Sequence, residues 1–212
     1  MTSVSTTQVV GLFATPLMRV QGLINAATVA DLIAGLAAAD QTGNARANGL
    51  VHTPIASSRS SLPYAEIESK ILPKIAELGV LIFGQSLPWA IKEMWGNILQ
   101  PGGHQPLHNH ANCFISGVLY LTRCDADNNT VFAKGMGGLD FVFRNASSDV
   151  QLGQFNADKW ISPDVAPGDV VLFPSYLLHE VPKNSGGLRM SIAFNAVPAR
   201  LDSWGYGIGF TR

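Results

Sequence analysis

The sequence predicts a mainly β fold, an antiparallel jelly-roll barrel or sandwich with N-terminal helices packed outside it. Three observations carry this expectation. About eight short apolar runs are separated by turns rich in Gly, Pro and Asn. Strands and helices do not alternate as a parallel βαβ sheet requires. The hydrophobic period shifts from helical to two-residue near Ala90.

Taken in order, Val9–Phe13 reads as a first strand, ending before Thr15-Pro16 because the residue preceding proline avoids the helical region. Asn25 is placed to cap a helix over Ala26–Ala39, with Val29, Leu32, Ile33 and Leu36 on one apolar face. From Asp40 to Arg59 the chain is small and polar, and a long loop is expected there. A second helix is expected from Ser61, with Pro63 close behind, to about Leu78, carrying Ile67, Ile71, Leu72 and Ile75 and stopped by Gly79. Pro73 inside it predicts a kink or two shorter helices.

Beyond Ala90 the period is that of strands. Ile91, Glu93, Trp95, Asn97 and Leu99 share one face, opposite Lys92, Met94, Gly96 and Ile98. Pro101-Gly102-Gly103 turns the chain, and Cys113–Leu121 is the next strand. Val131–Phe132, Leu139–Phe143 and Trp160–Ile161 are further short strands. Val170–Leu178 is one apolar run ending at His179, and Leu188–Phe194 is another. The tail from Pro198 to Arg212 has no clear period. The organisation expected is one domain over 1–212, with a helical region at 1–89, a jelly-roll core at 90–197 and a tail at 198–212. Gly102–Gly103, Gly135–Gly138 and the 40–59 loop are candidate lids.

Composition narrows the function. With 14 Lys and Arg against 15 Asp and Glu, the net charge of −1 leaves no electrostatic footprint for nucleic acid. No run of 18 apolar residues occurs, so no membrane-spanning helix is expected. Two cysteines, Cys113 and Cys124, do not make a disulfide framework. The expectation is a soluble, cytoplasmic protein with a small-molecule or peptidyl substrate and a homodimer as its candidate assembly.

His108 and His110 lie two residues apart, and strand alternation puts both side chains on one face. Two imidazoles so placed reach one metal at about 2.0–2.2 Å. His179, at the end of an apolar run, supplies a third if the strands face one another. His52 reads as an exposed loop side chain, and His104, after two glycines, as a loop residue that either lines the pocket or has a structural or solvent-facing role.

These residues sit in a segment, Trp95 to Asn195, that resembles the iron(II)/2-oxoglutarate-dependent oxygenase superfamily, and within it a prolyl-hydroxylase-like branch of bacteria and phages. The matching stretches are His108-Asn109-His110, Ser116-Gly117-Val118-Leu119-Tyr120, Phe173-Pro174-Ser175, Leu178-His179-Glu180-Val181-Pro182 and Arg189-Met190-Ser191-Ile192-Ala193-Phe194-Asn195. The resemblance implies a double-stranded β-helix, the cupin-like form of the jelly roll. It implies Fe(II) held by His108, His110 and His179, with 2-oxoglutarate and O2 as co-reactants. It departs from the superfamily at His110, which stands where a carboxylate is usual and leaves the site one negative charge short.

The resemblance further implies that Arg189 and Ser191 bind the distal carboxylate of 2-oxoglutarate. A guanidinium suits that task because it holds a carboxylate in a bidentate pair, and a hydroxyl adds a directed donor. Tyr120 is an additional donor to the cosubstrate, and Asn97, Trp95 and Asn195 line the same cavity. Two other readings compete with this one. The first is a non-catalytic β-barrel binding protein derived from an oxygenase. The second is a three-histidine, cupin-like dioxygenase independent of 2-oxoglutarate, which has no need of a cation ten residues beyond its last ligand.

Overall fold

The computed structural model describes residues 7–54, 64–124, 126–135, 145 and 147–210. The first strand is β1, Met18–Val20, not Val9–Phe13. Val9, Val10, Leu12 and Phe13 are all largely exposed, and apolar β-branched residues without a partner strand do not make a sheet. Helix α1 spans Ala26–Ala38, and the Asn25 side chain caps it by accepting from the Thr28 amide at 2.9 Å.

The polar segment expected to be a loop contains two strands, β2 at Thr42–Gly43 and β3 at Leu50–Pro54. Helix α2 runs unbroken over Tyr64–Phe83 with Pro73 inside it. The start expected at Ser61 lies outside the described residues. Gly79 does not stop this helix. A Cβ at Gly79 would stand 2.7 Å from the Trp89 indole, so the glycine is the seat of a ring rather than a C-cap.

Strand β4 covers Trp89–Leu99, β5 Gln105–His108, β6 Ile115–Tyr120, β7 Val131–Ala133 and β8 Lys159–Ile161. The strand expected at Leu139–Phe143 and the lid glycines Gly137 and Gly138 lie outside the described residues. The apolar run before His179 is two strands, β9 at Val170–Pro174 and β10 at Leu178–Val181. Strand β11 spans Arg189–Pro198, and the tail forms a hairpin of β12, Arg200–Ser203, and β13, Tyr206–Gly209.

Seven strands form one antiparallel sheet in the order β1-β9-β6-β11-β4-β3-β2, and four form a second in the order β5-β10-β7-β8. From β4 to β11 the chain passes repeatedly between the sheets: β4, β6, β9 and β11 belong to the larger, and β5, β7, β8 and β10 to the smaller. That alternation is the double-stranded β-helix. Phe173 of the larger sheet meets Phe132 and His179 of the smaller at ring-centroid distances of 5.1 and 4.9 Å, so the two sheets face each other.

The two faces of the larger sheet have different tasks. Met94, Ile98, Ile115, Leu119, Val170, Leu172, Met190, Ile192 and Phe194 point outward and share a buried core with Leu32, Leu36, Ile67, Ile71, Ile75 and Leu78 of the helices. Each such side chain contributes about 1.5–3 kcal/mol when fully buried. The inner face carries the polar groups. One irregularity lies beside them: the β11–β4 register runs from Asn195↔Glu93 to Ala196↔Ile91 and skips Lys92. This bulge carries Ile91 to the outer face, away from the Glu93 side on which strict alternation puts it. Among the described residues no helix is long and apolar enough to cross a membrane.

Candidate active site

His108 ends β5 and lies directly opposite His179 in the β10–β5 register. His110 stands two residues beyond the strand end, and its amide donates to the Ser175 carbonyl at 3.0 Å. Strand alternation therefore does not pair His108 with His110; a turn anchored to the residue after β9 brings the second ring back. The outcome is the cluster that the spacing suggested. Ring centroids lie 4.2 Å apart for His108 and His179, 5.0 Å for His110 and His179, and 5.3 Å for His108 and His110. One ligand atom from each lies within 4.8 Å of the other two.

Each ring is held through the same nitrogen. His108 Nδ1 donates to the Pro106 carbonyl at 2.8 Å, His179 Nδ1 to the Leu177 carbonyl at 2.9 Å, and His110 Nδ1 to Asn195 Oδ1 at 2.8 Å. A proton on Nδ1 leaves the lone pair on Nε2, the atom a metal needs; at His108 that lone pair accepts from Gln105 Nε2 at 3.2 Å, a contact a metal would displace. Burial disfavours the charged ring and lowers the pKa of all three. For His179, desolvation first and then the nearby His108 charge bring it down to about 3. Neutral, oriented imidazoles are what a divalent cation needs, and the three residues fit one.

The inner face of β11 continues to Arg189, which is only 4% exposed. Its Nη2 donates to Thr130 Oγ1 at 3.3 Å and its Nη1 to Ser191 Oγ at 3.5 Å, and its guanidinium carbon stands 5.4 Å from the Tyr120 ring centroid. Nε is buried with no partner. Among the described residues no carboxylate pairs with this guanidinium. Tyr120, wholly buried, has its hydroxyl 3.1 Å from Thr130 Oγ1 and 3.4 Å from Asn129 Oδ1. Burial pushes its phenol pKa up, so it stays a neutral donor.

Ser191 lies between Tyr120 and Asn97 in the sheet register. Asn97 is buried, and its Oδ1 accepts from His52 Nδ1 at 2.7 Å and from Trp95 Nε1 at 3.2 Å. His52 is thus not the exposed loop residue that the sequence suggested. It sits on β3 opposite Asn97 and lines the cavity beside the histidines. That cavity is about 620 Å3, with His108, His110, Trp95, Glu93 and Asn195 also on its wall. Sequence reasoning missed Thr130, which joins Tyr120 to Arg189, and Glu93, which reaches Asn195. Glu93 carried a usable signal, a lone acid on a strand face otherwise apolar or amide. Thr130 carried none.

Residues 93–195 match a family described as "Putative 2OG-Fe(II) oxygenase". No curated protein matches the chain. Among solved structures it resembles HygX from Streptomyces hygroscopicus, solved with nickel and 2-oxoglutarate bound, at 15% identity and a TM-score of 0.66 over 87% of this chain and 83% of that one. The epimerase SnoN from nogalamycin biosynthesis, described as non-heme and alpha ketoglutarate dependent, aligns at 15% identity and a TM-score of 0.63 over 88% and 77%. An oxidoreductase of the 2OG-Fe(II) oxygenase family from Burkholderia pseudomallei aligns at 16% identity and 0.58 over 85% and 84%. At such identities the likenesses establish the double-stranded β-helix, and the family match covers the segment that carries all three histidines and Arg189. The segment 93–195 belongs to the 2OG-Fe(II) oxygenase superfamily.

Proposed function

We propose that this oxygenase holds Fe(II) with His108, His110 and His179 and binds 2-oxoglutarate through Arg189, Ser191 and Tyr120, to oxidise a small molecule or a peptidyl residue. The observation that carries the cosubstrate assignment is Arg189. A guanidinium that is 4% exposed, with its Nε unpartnered and no carboxylate beside it among the described residues, is costly unless an anion completes it. A dicarboxylic acid fits, because one carboxylate meets the arginine while the other end extends toward the histidines. A three-histidine dioxygenase without 2-oxoglutarate leaves this buried cation unexplained, and so does a non-catalytic barrel.

Iron(II), when bound, supplies the centre at which O2 and the 2-oxo acid are activated for oxidation of a C–H bond. The chain's own residues do the rest. The carbonyls of Pro106 and Leu177 and the amide of Asn195 keep three Nε2 lone pairs aimed inward. Arg189, Ser191 and the Tyr120 hydroxyl fix the far end of the cosubstrate, and the aromatic packing of Phe132 and Phe173 behind His179 excludes water there. The substrate takes the cavity, whose one ionic side chain among the described lining residues, imidazoles aside, is Glu93. Such a wall favours a neutral or cationic substrate over an acidic one, and the net charge of −1 speaks against nucleic acid.

Iron-loaded protein given 2-oxoglutarate and O2 is expected to release succinate slowly even without its substrate, and the release should cease when O2 is withheld. Chromatographic quantification of succinate checks this. Absence of both 2-oxoglutarate binding and succinate would overturn the proposal.

A further inference from the structure

His110 differs from the other two histidines in what holds it. Backbone carbonyls accept from His108 and His179, and a carbonyl can only accept. His110 faces the side-chain amide of Asn195, which could present either its oxygen or its nitrogen. With nitrogen toward the ring, the imidazole proton would move to Nε2, the atom needed for a metal.

The surroundings of Asn195 choose between the two. Glu93, Asn195 and Ser116 lie directly opposite one another on three adjacent strands, β4, β11 and β6. Asn195 Nδ2 donates to Glu93 Oε1 at 2.7 Å, while Ser116 Oγ donates to Asn195 Oδ1 at 2.7 Å. The serine hydroxyl does not decide the matter, since by rotating it serves either amide orientation. A carboxylate accepts only, so Nδ2 must face Glu93 and Oδ1 must face His110. Regular pairing from Arg189↔Leu99 to Asn195↔Glu93 keeps Glu93 on the inner face with Trp95 and Asn97, and the bulge at Lys92 begins only beyond it.

We infer that Glu93 is a positioning residue, acting through Asn195 to set the tautomer of His110, an inference that rests on His110 being a metal ligand. It also hangs a carboxylate on the outer shell of a centre whose three inner ligands are neutral. The route runs through the amide more than through space. The Glu93 side chain is 44% exposed and has Lys92 Nζ at 3.5 Å, so its direct field at the ring is screened by solvent and partly offset.

The test reads tautomers in metal-free protein labelled with 15N at histidine, by long-range proton–nitrogen correlation. The wild type is expected to show all three rings protonated on Nδ1. In Glu93→Ala, His110 should move toward the Nε2-protonated form while His108 and His179 stay as they were. Glu93→Gln, which still offers Asn195 an acceptor, should keep the wild-type pattern. Ni(II) affinity by calorimetry should fall about 10- to 100-fold in Glu93→Ala, the range typical of outer-shell partners. In an Asn195→Ala background the same change should have no further effect. An unchanged His110 tautomer in Glu93→Ala, or an equal loss of Ni(II) affinity with and without Asn195, would overturn the inference. Because the tautomer is read without metal, its result stands apart from whether the oxygenase assignment holds.

Discussion

Alanine at His108 or His179 is expected to weaken metal binding by more than about 100-fold, beyond the 10- to 100-fold typical of losing an outer-shell partner. Each removes one of the three imidazoles that meet at the site, and no other His, Cys, Asp or Glu cluster among the described residues replaces it. The two variants differ in stability. His179 is 6% exposed and packs against Phe173, so its truncation also opens a hole in the barrel. His108 is only half-buried, and its replacement should lower metal content with little change in thermal midpoint. Metal analysis after anaerobic reconstitution, alongside melting of the metal-free proteins, separates these effects. His110→Ala decides the ligand count. If it keeps its metal, the centre is a two-histidine site completed by water; equal metal in the wild type and the triple variant would remove the centre altogether.

The second large effect concerns Arg189. Replacing it by alanine should weaken 2-oxoglutarate binding about 10- to 150-fold, the equivalent of about 1.5–3 kcal/mol for a charge-assisted hydrogen-bond pair. Metal content should not change, since the arginine is not among the clustered ligands. Calorimetry on metal-loaded, oxygen-free protein reads the affinity directly. The stability response has an informative sign: the wild-type cation is buried and uncompensated, so its loss removes a desolvation cost as well as packing over Tyr120. Binding that survives the substitution intact would take Arg189 out of the cosubstrate site.

The parts of this architecture that were legible in the sequence are those where one face is uniformly apolar. Met190, Ile192 and Phe194 announce β11, and Leu32, Leu36, Ile67, Ile71 and Ile75 announce the helices, because burial on one side imposes a period. Short strands near a sheet edge leave no such trace. Leu50–Pro54 is a strand because β4 offers it hydrogen bonds, and the two-residue edge strand Thr42–Gly43 because Leu50–Pro54 in turn does; neither is long enough to show a period. The reverse error occurred at Val9–Phe13, where composition favours a strand but the edge of β9 is taken by Met18–Val20. At the site, residue types with few alternative uses were readable: three histidines and an arginine close to apolar runs. The asparagine at 195 and the glutamate at 93 matter through whom they face, and facing is a property of which strands pair and in what register.

One consequence of β11 reaches beyond this chain's present form. Its even-numbered residues Met190, Ile192 and Phe194 hold the helices, while Arg189, Ser191 and Asn195 face the chemistry. Slipping the strand by one position would send a guanidinium into the hydrocarbon interior and turn a phenyl ring to the inner face, beside His110, at the same time. Length changes in this strand are thereby closed to gradual divergence, whereas the hairpin of β12 and β13, joined after it, is free to grow, shrink or be exchanged.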